Sequence, residues 1–138
     1  MKLGINLCFA VKRLTEPEAW AEFVRADLGL DTVQFTFDLL DPWWPEAFRR
    51  AIIHRTRDAA DAWGLTIGSA HVGSAHYVPA GLLDPDPAAR SVARQWWRRA
   101  CDVTGELASK AFMRWGREKQ NAVSKYSVAV SNQSHRAA

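Results

Sequence analysis

The sequence predicts an α/β fold built on parallel strands, and three observations predict it. Short runs with strand character occur at residues 3–11, 31–38 and 65–72. Longer stretches follow them, with apolar residues at three- and four-residue spacing, as amphipathic helices require. Two of these stretches stop at a glycine, Gly29 and Gly64, the residue that closes helices in a left-handed turn. Strand and helix in alternation imply a parallel sheet with right-handed crossovers.

Each element has its own signal. Leu3 to Val11 is a short apolar run without helical period, as a strand buried on both faces should be. Thr15 and Glu18 form a capping box around Pro17, and Trp20, Phe23, Val24 and Leu28 fall on one helical face. In Asp31 to Asp38 the residues Val33, Phe35 and Phe37 alternate with Thr32, Gln34 and Thr36. A loop with two prolines and two tryptophans leads to a helix over 46–63, with Phe48, Ile52, Ile53, Ala59, Ala60 and Trp63 on its buried face. Leu65 to Val72 is the third strand. Asp84 or Asp86 caps a third helix from Pro87 to about Ala108, striped by Val92, Trp96, Ala100, Val103 and Leu107. The order is βαβαβα, with 111–115 a weak signal for a fourth strand.

The 138 residues make one domain's worth of chain. No run of 18 apolar residues occurs, which argues against a membrane-spanning helix. The N-terminal segment lacks a signal-peptide cleavage pattern, and two cysteines make no disulfide framework, so a cytoplasmic location with reduced thiols is expected. Charge is uneven. Residues 1–108 carry 12 Lys and Arg against 14 Asp and Glu, whereas 109–138 carry 6 basic residues against Glu118 alone.

The blocks LGINLCFAVKR, LGLDTVQFTFDLLDPWWP, LTIGSAHVG and GLLDPDPAAR…WWRRA together resemble the sugar phosphate isomerases and epimerases. Within that family they are most like the erythrulose-phosphate epimerases of tetritol catabolism. The resemblance covers residues 1–108. It implies the N-terminal part of a xylose-isomerase-like (β/α)8 TIM barrel, about three βα units of parallel strands, and so an incomplete barrel, since a whole one takes about 250 residues. After Ala108 the resemblance stops. The segment 109–138 has no Leu, Ile, Asp or Pro and is rich in Ser. It reads as the product of a truncated or frameshifted gene, with a half-barrel bearing a genuine basic tail as the alternative.

The resemblance further implies a sugar phosphate substrate and a divalent metal (Mn, Mg or Co) held by carboxylates and a His from later strands. Those positions have no match here, so no metal and no catalytic residue is assigned to this chain, which is expected to be inactive alone. What a barrel would use from its first three units lies at the C-terminal strand ends. There Asn6, Asp38, Trp43, His71 and His76 are the candidate substrate-binding residues. Read as metal ligands, His71 and His76, spaced H-x4-H, need at least one more ligand and converging geometry; Asp38 could supply that carboxylate, but polar groups that line a pocket or face solvent are the favoured reading. Cys8 also lies near a strand end and reads as a structural thiol, with no base evident beside it. Trp96 and Trp97 read as packing, and Arg98 and Arg99 as a solvated face. The competing function is an interaction module. Self-association would complete the sheet. Nucleic-acid binding through the basic tail is disfavoured, since its charges are spread thinly.

Overall fold

In the computed structural model of the chain, residues 3–73 and 81–108 are described. His76, the expected fourth strand and the whole 109–138 segment lie outside them. The elements are β1 (Ile5–Asn6), a 3-10 turn (Leu7–Ala10), α1 (Pro17–Glu22), a π-helical turn (Phe23–Asp27), β2 (Thr32–Thr36), α2 (Glu46–Ala62), β3 (Thr66–His71) and α3 (Pro87–Leu107). The strands form one sheet in the order β1-β2-β3, with both pairings parallel, as the alternation predicts.

The alternation in β2 divides the sheet into two faces. Val33, Phe35 and Phe37 are buried, and the helices cover them. The Phe37 ring meets the Trp96 ring of α3 edge-on, with centroids 5.5 Å apart. Burying a side chain such as Phe35 stabilises the fold by roughly 2–3 kcal/mol. Trp20 and Val24 from the first helix, Ile53, Ala59 and Ala60 from α2, and Trp96, Ala100, Val103 and Leu107 from α3 complete this layer. The other face carries Asn6, Gln34 and Ser69, which are hydrogen-bonded to one another.

Several local expectations are corrected. The first strand is two residues long, because the Asn6 side chain accepts from the backbone N–H of Cys8 and turns the chain into the 3-10 segment. Leu7 and Ala10 are still buried there, so the apolar run reads the same in either conformation. Glu16 rather than Thr15 holds the cap position of α1, without a side-chain cap bond, and Pro17 opens the helix. The π-helical turn adds a residue to the period. Leu28 is thereby carried off the buried stripe to 39% exposure. Phe48 and Val92 are also exposed, and Thr56 is buried in α2 in a place the apolar pattern does not mark. Gly29 and Gly64 do take left-handed backbone, with φ of 65° and 63°. Asp86 caps α3 by accepting from the N–H of Ala88 at 2.9 Å.

Candidate substrate-binding site at the strand ends

A bulge decides which side chains share the site. Val33 pairs with Ile67, but the next residue, Gln34, pairs with Ser69, so Gly68 is an extra residue in β3. Side chains alternate along a strand, and one extra residue reverses the alternation beyond it. Ile67 faces the helices. Without the bulge, Ser69 and His71 would do so as well. With it, they join Gln34 and Thr36 on the polar face, and Thr36 lies in register with His71. An isolated glycine inside a strand is the sequence signal for this, and the reading of residues 65–72 as a regular strand passes over it.

Two hydrogen-bonded groups result. Across the middle of the sheet, the Asn6 amide donates to Gln34 Oε1 at 2.6 Å, and the Gln34 amide donates to Ser69 Oγ at 3.0 Å. At the C-terminal edge, the Cys8 thiol donates to Thr36 Oγ1 at 3.5 Å, and the Thr36 hydroxyl donates to Asp38 Oδ2 at 3.2 Å. His71 Nδ1 lies 3.9 Å from Cys8 Sγ and accepts from the Gly73 N–H at 3.0 Å. Since Nδ1 accepts, the neutral ring carries its proton on Nε2. The bond from Phe37 N–H to the His71 carbonyl, at 2.9 Å, continues the ladder past the strand ends.

Of the residues singled out from the sequence, Asn6, Asp38 and His71 therefore share the polar face, Asn6 across the middle of the sheet and Asp38 and His71 at its C-terminal edge. Trp43 lies in the loop that leaves this edge. Its ring is 40% exposed and sits under the guanidinium of Arg99, 4.5 Å from the ring centroid. Arg99 is thus engaged with an aromatic face and is not merely solvated, as expected of it. The neighbouring Trp44 packs on Phe48 and the core, and Arg49 of α2 donates to the carbonyls of Pro42 and Trp44. These contacts hold the loop against the helices. Gln34, Thr36 and Ser69 were not singled out, although the polar half of the β2 alternation contains two of them. Cys8 proves exposed and does have an imidazole beside it. The lone pair facing it is already shared with the Gly73 N–H, so the ring is poorly placed to take the thiol proton.

The arrangement offers amide, hydroxyl, carboxylate and imidazole groups on one face, the set that recognises a small molecule rich in hydroxyl groups. Among the described residues, no three His, Cys, Asp or Glu side chains gather as a metal ion needs. No helix among these residues is long and apolar enough to cross a membrane.

No family model matches the chain. It is 27% identical over 115 residues to D-erythrulose 1-phosphate 3-epimerase of Brucella abortus, a match covering 80% of this chain and 36% of that protein. A solved structure from Rhodospirillum rubrum, assigned as a xylose isomerase, superimposes with a TM-score of 0.73 at 46% identity, over 78% of this chain and 36% of that one. The chain thus spans about a third of the length of each relative. Over the part they share, both bear out the resemblance to sugar phosphate isomerases and epimerases. The three parallel strands and their helices form part of a TIM barrel, as expected.

Proposed function

We propose that the polar strand-end face is the substrate-binding rim contributed by the first three βα units of a sugar-phosphate (ketose) isomerase or epimerase barrel. The observation that carries this reading is the juxtaposition of Thr36, Asp38 and His71 at the C-terminal ends of parallel strands, where barrel enzymes bind their substrates, with Asn6, Gln34 and Ser69 on the same face below them. Its support from relatives is the similarity to an erythrulose phosphate epimerase. In this reading the Asp38 carboxylate accepts from a sugar hydroxyl, and the Nε2–H of His71 donates to a hydroxyl or carbonyl oxygen. Asn6, Gln34 and Ser69 form the floor beneath them, and Trp43, in the loop that follows β2, would supply an apolar wall for the sugar. A location in the cytoplasm fits two cysteines that are both free and exposed.

Turnover requires more than this rim. Proton abstraction beside a ketose carbonyl builds negative charge on oxygen, which must be stabilised for the reaction to proceed. The resemblance places the carboxylates and His that would supply this stabilisation through a divalent metal on later strands, and among the described residues no three such side chains gather. The 138-residue chain by itself is therefore expected to bind a short ketose phosphate without converting it. Calorimetric titration with tetrulose and pentulose phosphates tests this, alongside an epimerisation assay supplied with Mn²⁺, Mg²⁺ or Co²⁺. The expected result is binding that is weakened at least about tenfold by His71→Ala, matching the loss of one charge-assisted or well-placed hydrogen bond. Equal affinity in His71→Ala, or turnover by the unaltered chain, would overturn the proposal.

A further inference from the structure

We propose that Gly73 is a positioning residue that sets both the tautomer of His71 and the place of the Asp38 carboxylate. Three observations meet at this glycine. Its backbone takes φ of 84°, a conformation that L side chains rarely adopt. Its N–H donates to His71 Nδ1 at 3.0 Å. A Cβ at this position would stand 2.5 Å from Asp38 Cγ and Oδ1 and 2.7 Å from Oδ2.

The consequences are separable. A ring nitrogen that accepts from a backbone N–H cannot also carry the proton of the neutral ring, so the bond from Gly73 selects the Nε2–H form. The absence of a side chain lets the backbone after β3 pass against the Asp38 carboxylate, which in turn reaches the Thr36 hydroxyl. An added methyl group would collide with a carboxylate already tied to Thr36 through Oδ2 and the Asp38 N–H, so the strain falls on the residue 73 backbone as well and draws its N–H away from His71 Nδ1. One glycine therefore places a donor from β3 beside an acceptor from the end of β2. That Asp38 and His71 face a sugar phosphate is the reading proposed above. Their positioning by Gly73 is measured without substrate, so either statement can fail alone.

The experiment is imidazole nitrogen NMR on the full chain at about pH 8.5, where imidazoles are neutral, with the His71 signals assigned by their loss in His71→Gln. The unaltered chain is expected to show an unprotonated Nδ1 and a protonated Nε2. Gly64→Ala introduces the same left-handed strain, at φ of 63°, with nothing within 4 Å of the new Cβ, and is expected to keep that pattern. Gly73→Ala is expected to lose it to a mixture of tautomers, and Gly73→Ala with Asp38→Ala to recover part of it. A protonated Nδ1 in the unaltered chain would overturn the proposal, whether or not Gly73→Ala folds. So would a Gly73→Ala chain that retains the Nε2–H form.

Discussion

The Thr36 hydroxyl uses its full hydrogen-bonding capacity. It has one proton to give and two lone pairs. The proton goes to Asp38 Oδ2, and the oxygen accepts from the Cys8 thiol and from the Asp38 N–H at 3.4 Å. The residue is fully buried, so water does not reach its hydroxyl. Valine has nearly the same shape and none of these functions. Thr36→Val is expected to lower the unfolding free energy by about 0.5–1.5 kcal/mol, the net worth of a hydrogen bond, since Cys8 is exposed and Asp38 half-buried and water can reach both. Urea unfolding measures this. An unchanged midpoint would show that the thiol and carboxylate find other partners at no cost. At the same scale, Cys8 shows why a residue is hard to read from sequence alone. The chain separates it from His71 by 63 positions, and only the sheet register brings them together.

At the scale of elements, α1 and α2 are joined on their exposed side by Arg55, which donates to Glu18 Oε1 at 3.1 Å and to Glu18 Oε2 and Glu16 Oε2 at 2.7 Å each. The hydrogen bonds from Arg55, helped by a backbone N–H, hold the Glu18 carboxyl below its ordinary range. A carboxyl whose folded-state value is depressed stabilises the fold at neutral pH, and that contribution is lost as pH falls through the carboxylate range. The stability of the unaltered chain is therefore expected to fall more steeply below about pH 4.5 than that of Arg55→Gln. Thermal unfolding at several pH values checks the comparison, and parallel curves would show that the exposed pairing contributes nothing. Helices were legible in the sequence because period and punctuation agree: Pro17 and Pro87 open them, and Gly29 and Gly64 close two of them. Strand ends were less legible. Asn6 stops β1 with its own side chain, and Gly68 reverses the faces of β3, neither of which alters the apolar pattern. The site suffers most from the second effect, since a regular β3 would have put His71 among the helices.

At the scale of the molecule, the described strands make an open sheet whose two outer members, β1 and β3, each have one strand neighbour. A strand edge left without a partner invites pairing with another chain. Sedimentation across a concentration series is expected to show a mass rising above 15.5 kDa toward twice that value. A constant monomer mass at high concentration would argue against it. The sheet and its helices were legible as a whole because the βα alternation and the family resemblance of residues 1–108 point the same way. The most direct test of the central claim, that the polar strand ends form a sugar-phosphate rim, is amide and side-chain NMR of the chain titrated with a tetrulose phosphate. The account predicts shifts concentrated at Asn6, Gln34, Asp38, Ser69 and His71. Shifts confined to the helical face around Arg55, or none at millimolar ligand, would contradict it.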